Sequence, residues 1–173
     1  MSEKLYDTPE RLEEIRRKVV DVIENCPSVE VVNDRTKIAT ALGAKLLKGE
    51  ISEAEFQEAS HSLPILPGRV TFDLLTDFID AVHIAGEIMG IPPEVMRNKM
   101  IAHENDHKAV AESFGYESGY ILQFSKSAST IYVQPSIWHG TPQGMSDEER
   151  NKITRLIVNG PQDLSQHDKE MLN

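Results

Sequence analysis

The segment His103-Glu104-Asn105-Asp106-His107 holds the residues best placed to do chemistry. Two histidines four positions apart stand on one face of a helix, with Cβ atoms about 5–6 Å apart. Two neutral imidazole nitrogens can converge from there on one ion, at about 2.0–2.1 Å for zinc. Glu104 is rotated about a third of a turn from His103, so it flanks the ion without entering its coordination sphere. A carboxylate in that position can act as general base toward a metal-bound water, which is the chemistry of metal-assisted hydrolysis.

That motif requires a helix. Pro92-Pro93 opens one that runs to Phe114, with Gly115 at its stop. Met96, Met100, His103, His107, Val110 and Phe114 fall on one stripe at helical spacing, which turns both histidines inward. A lone histidine on an apolar face is usually a satisfied core residue. Two buried imidazoles one turn apart both need partners, and a shared metal satisfies both.

A catalytic zinc normally takes three protein ligands and keeps water in the fourth position. Ser113 stands six residues after His107, where an extended form of the motif places a third histidine or aspartate, so that form is excluded. Glu112 is rotated away on the same helix. His139, Asp147, Glu148, Glu149, Asp163, His167 and Asp168 stay open as third ligand. Several have simpler explanations. Asp147 to Glu149 stand in a first helical turn, where acids complement the macrodipole. Ser146 to Glu149 and Ser165 to Asp168 both have the spacing of a helix cap and its partner. His139 beside Trp138 also suits an ordinary loop.

The rest of the chain reads mostly as helices. Thr8-Pro9-Glu10 starts one, with Leu12, Ile15, Val19, Val22 and Ile23 on its apolar stripe and Cys26-Pro27 at its end. Val29, Val31 and Val32 predict a short strand, after which Asp34 is expected to cap a helix reaching Gly49. Ser52 to Glu55 is a capping box, and the prolines of Leu63 to Gly68 predict an extended linker. Thr71 is expected to cap a helix with Phe72, Leu75, Ile79, Val82 and Met89 as its stripe and Gly90 at its end. On that helix His83 and Glu87 form an i,i+4 surface pair. The period then changes to two, through Tyr120, Leu122 and Phe124 and again through Ile131 and Val133. This predicts a β-hairpin with a loop longer than the tightest type, followed by loop from Trp138 to Gly144. A helix through Ile153 and Ile157 ends at Asn159-Gly160-Pro161, and a last short helical turn starts at Ser165.

His103-Glu104-Asn105-Asp106-His107, then Ala109, Ala111 and Gly115, then a hairpin, resembles the zincin metallopeptidases. Among them it is most similar to the peptidase domain of membrane-bound AAA proteases. In that family a later helix is followed by a turn of small residues and then by an aspartate that begins another helix and is the third zinc ligand. The matching stretch here is Ile153 to Val158, Asn159-Gly160-Pro161 and Ser165 to Asp168, so the resemblance implies Asp168. It covers about residues 95–172 and is specific only at the H-E-x-x-H core. This sequence has no ATPase module and no transmembrane segment, and its stretch between motif and aspartate is much shorter.

Composition mainly excludes. With 18 basic and 28 acidic side chains the formal charge is −10, which argues against nucleic acid and against an anionic membrane surface as partners. No apolar run approaches the roughly 20 residues of a membrane helix, and Met1 to Tyr6 lacks the apolar core of a signal peptide. The single cysteine, Cys26, excludes an internal disulfide and points to a reducing, cytoplasmic setting. It also leaves a metal site to nitrogen and oxygen ligands.

These readings predict an α+β fold: one mainly helical domain over 1–173, with a helical part at 1–62 and a metal-site core at 70–173 that includes the hairpin. The expected function is a zinc-dependent metallopeptidase acting on a peptide or protein substrate. His103, His107 and Asp168 hold the metal and Glu104 is catalytic. A homodimer is compatible with the N-terminal helix. The alternative is a non-catalytic module that keeps the metal for stability and acts in binding or regulation.

Overall fold

The computed structural model describes residues 8–173, and the Met1–Tyr6 segment lies outside them. Helix α1 (Pro9–Glu24) begins as expected, with the Thr8 hydroxyl accepting from the Arg11 N–H. Helix α2 (Val29–Leu47) absorbs the valine run that predicted a strand. Ser28, not Asp34, caps it by accepting from the Val31 N–H. The β-branched preference of three valines is weak beside an N-cap and a buried Val32 inside a continuous 19-residue helix. Helix α3 (Glu53–His61) starts with the Ser52–Glu55 capping box.

Strand β1 (Arg69–Phe72) is the second departure, because Thr71 lies within it and caps nothing. Val70 and Phe72 alternate onto a buried face and pair with Leu122 and Tyr120, a gain that outweighs the capping tendency of one threonine. Helix α4 (Leu75–Met89) therefore starts at Leu74 without a side-chain cap, and ends at Gly90 with φ 70°. Glu87 at its outer face meets Arg16 at 3.2 Å instead of pairing with His83.

Next come α5 (Pro93–Met96), a π-helical turn (Arg97–Ile101) and α6 (Ala102–Ser113). Strands β2 (Glu117–Ser127) and β3 (Thr130–Gly140) form the hairpin, before α7 (Asp147–Val158) and α8 (Gln166–Leu172). The chain is mainly helical with a small antiparallel sheet in the order β1-β2-β3. The hairpin is tighter than expected, since Ser127 pairs with Thr130 and only Ala128 and Ser129 turn the chain. Ala128 takes a left-handed φ of 49° to close it. The strands are longer than their apolar alternation, so β3 runs through Trp138 to Gly140, where Glu117 is its partner. Polar residues there read as loop, yet continuous backbone pairing holds them extended.

One sheet face presents Val70, Phe72, Tyr120, Leu122 and Phe124 to Ile15 and Val19 of α1 and to Phe78, Val82 and Ala85 of α4. Phe78 stacks on Tyr120 with ring centres 4.4 Å apart. Fully burying each of these large side chains is worth about 1.5–3 kcal/mol, so this layer is a major source of the fold's stability. A smaller cluster of Ala111, Tyr116, Ile153 and Ile157 packs α6 on α7. Among the described residues no helix is long and apolar enough to cross a membrane.

Candidate metal centre

The π turn decides which face of α6 looks inward. It adds a residue to one turn, so buried positions run Met96, Ile101, Glu104, His107, Lys108 and Ala111. Of the stripe expected from helical spacing, Met96 and His107 are buried, while Met100, His103, Val110 and Phe114 are displaced from the buried face. Phe114 is 42 % exposed, and Met100 and His103 are only partly buried. Glu104 is thus buried on the same side as His107, close enough to His107 and Asp168 for their charges to act on its carboxyl. The helix is pinned by Tyr120, whose hydroxyl donates to Asn105 Oδ1 at 2.9 Å, and by Lys108, which reaches Ser118 Oγ at 3.1 Å and ion-pairs with Glu112.

His107 Nδ1 lies 2.8 Å from the carbonyl oxygen of Ile157, in the last turn of α7. A carbonyl only accepts, so Nδ1 carries a proton; Nε2 then has a lone pair in the neutral imidazole and an N–H facing Asp168 in the imidazolium. Gly160 permits this approach. A Cβ there would sit 3.1 Å from Asp106 O and from Val110 Cγ2 and 3.2 Å from Ile157 O, tight enough that these neighbours would have to give way slightly. His107 Nε2 is 3.2 Å from His103 Nε2, and the two rings meet edge to face with centres 4.8 Å apart.

Helix α8 brings Asp168 to this pair. Its Oδ2 is 3.2 Å from His103 Nε2 and its Oδ1 is 3.4 Å from His107 Nε2. Ser165 holds the carboxylate, donating to Oδ2 from its backbone N–H at 2.9 Å and from its hydroxyl at 2.7 Å. Asp168 is therefore both the partner in a capping box and a member of the cluster. Ligand atoms of His103, His107 and Asp168 lie within 4.8 Å of one another.

The charges follow from burial and contact. Burial works to raise the Asp168 carboxyl, but bonds from His107 and Ser165 outweigh it and hold that group well below the usual carboxylate range. Burial lowers His107, and the bond to Asp168 and the Ile157 carbonyl overcome it, so the imidazole is raised. Glu104 is 5 % exposed, and burial pushes it up to about 7, with His107 opposing and Asp168 adding to the rise.

The other candidates stand apart. His139 lies in β3 opposite Ser118, its ring 5.6 Å from Tyr116, and burial holds it below the ordinary imidazole value. His167 turns to α2, with Nδ1 2.7 Å from Thr40 Oγ1. Asp147, Glu148 and Glu149 are exposed in the first turn of α7, and Asp163 is exposed in the following loop. The Ile157 carbonyl and Gly160 were not legible as site residues. A backbone oxygen has no side-chain signature, and Gly160 read as a helix stop and a small-residue turn.

Two imidazole nitrogens and a carboxylate facing one another are all electron-pair donors. Such a group is stable around a cation, and nitrogen-plus-oxygen donors of this kind suit zinc. His103, Glu104, x, x, His107 with a distant Asp168 is a zincin-type arrangement capable of coordinating a metal ion, set in a mainly helical chain. No protein-family model, curated protein or solved structure matches the chain.

Proposed function

We propose that this protein is a zinc-dependent metallohydrolase acting on peptide bonds. The observation that carries the reading is the convergence of His103 Nε2, His107 Nε2 and the Asp168 carboxylate around one point. In this reading those three residues are the ligands. The likeness to the peptidase domain of membrane-bound AAA proteases supports the same choice of aspartate. Zinc bound there supplies Lewis-acid polarisation of a carbonyl and a lowered pKa for water. Glu104 accepts a proton from the attacking water and returns it to the leaving nitrogen. A carboxyl raised toward neutrality is suited to that exchange. The Ile157 carbonyl fixes the His107 tautomer, and Ser165 fixes the Asp168 carboxylate. The unpaired Cys26 agrees with a cytoplasmic protein.

The test is Glu104→Gln in a peptide-library cleavage assay with parallel zinc analysis. Cleavage is expected to disappear with zinc retained, and full activity in the variant would sink the mechanism. A second reading has its own support. Glu104, His107 and Asp168 are 5 %, 7 % and 5 % exposed, a closure that suits a structural metal. Stoichiometric zinc, strong destabilisation by chelator and no cleavage by the wild type would favour that reading.

A further inference from the structure

We infer that α8 is a metal-dependent latch: zinc at the cluster holds this helix on the protein, and removal of zinc releases it. The inference rests on metal binding by His103, His107 and Asp168, and not on catalysis. Helix α8 has seven residues, too few to be stable alone in water. Asp168 is the one residue of it that is fully buried, while Met171 and Leu172 are partly covered and the remainder is exposed. Its other attachments are the His167–Thr40 hydrogen bond and the seat of Met171 against Gly43, where even a Cβ would come within 2.4 Å of the sulfur.

The main anchor is therefore a carboxylate pressed against two imidazole nitrogens. With a cation between them every contact is attractive. Without one, and with both imidazoles neutral, a buried carboxylate faces two lone pairs, and little apolar burial offsets the repulsion. Binding and docking are then one equilibrium, because the ligand set exists only when α8 is seated. At free zinc 100 times the dissociation constant, seated α8 is favoured by about 100-fold over the chelated protein. The site's neighbours differ in kind. Helix α6 and the Ile157 carbonyl are held by the Ala111–Tyr116–Ile153–Ile157 cluster and do not depend on the metal for their place.

Hydrogen exchange of the whole protein, at about pH 8.5 so that an imidazolium proton does not replace the metal, tests this with zinc and with chelator. Amides of residues 166–172 are expected to exchange about 100-fold slower with zinc, while those of α1 and α4 keep their protection in both. Trypsin should cut after the exposed Lys169 only in the chelated protein. In Asp168→Asn, which lacks the charged ligand, exchange in α8 should no longer respond to zinc. Equal α8 exchange with and without stoichiometric zinc would overturn the latch while leaving the metal site standing. Loss of protection by all helices together would overturn it too. Failure to bind zinc at all would remove the proposed function and the latch alike.

Discussion

Glu104→Gln has a consequence for stability as well as for catalysis. A carboxyl buried at 5 % exposure and raised from 4.5 to about 7 is a group the fold holds at a cost. At 1.36 kcal/mol per pKa unit the cost is about 3 kcal/mol once the pH exceeds the folded value. The sign follows from proton binding. Between 4.5 and about 7 the folded state binds a proton that the unfolded state has lost, so stability falls as pH rises through that window. Glutamine keeps the shape without the charge. Metal-free Glu104→Gln is therefore expected to be more stable than metal-free wild type at pH 8, by about 1–3 kcal/mol. The difference should shrink below about 1 kcal/mol at pH 5, where the native carboxyl is protonated. Urea unfolding of both chelated proteins at the two pH values measures it. A variant equal to or weaker than wild type at pH 8 would refute the reasoning, as would a gain that persists unchanged at pH 5. Zinc should reduce the gain, since a nearby cation stabilises the charged carboxylate. A residue held at a cost to the fold would then be the one proposed to do the chemistry.

Other outcomes follow from the same geometry. Saturating zinc at about 100 times its dissociation constant should stabilise the protein by about 2.7 kcal/mol, raising Tm by about 5–10 °C for a chain of this size; scanning calorimetry with and without chelator checks it. Gly160→Ala should cost about 1–3 kcal/mol and weaken zinc binding about 10–100-fold, because the new methyl pushes the Ile157 carbonyl away from His107; chemical unfolding and competition with a zinc chelator read the two effects. Asp168, held below the usual carboxylate range, contributes stability that is full above its unfolded value of 3.8 and is lost as pH falls. Metal-free Asp168→Asn should therefore show a flatter acid limb than wild type in thermal melts taken between about pH 5 and pH 2.

The chemistry was legible because it is local. His103, Glu104 and His107 sit within five consecutive positions, and one helical turn places them whatever the rest of the chain does. The caps at Thr8 and Ser52 and the stop at Gly90 were legible for the same reason, since each is settled by contacts within a few residues. The Val29–Val32 strand and the Thr71 cap failed where a longer-range contact competed with a local preference. The stripe on α6 departed at the π turn, which carries no proline or glycine to announce it and moves the buried face to Ile101, Glu104, Lys108 and Ala111 while leaving His107 inward.

By itself, then, the sequence determined the kind of site: two imidazoles and a carboxylate on one helix, with only nitrogen and oxygen available for a metal. The tertiary structure decided which distant residue joins them. Asp168 is separated from His107 by two strands and a helix, and six other acidic or histidine residues stayed open as third ligand on the residues alone. Backbone packing selected among them, as Gly160 lets α7 close on α6 and α8 lies along α2 with its one buried side chain turned toward the histidines. Such a choice depends on where whole helices come to rest, and that is set by the burial of apolar faces across the entire chain.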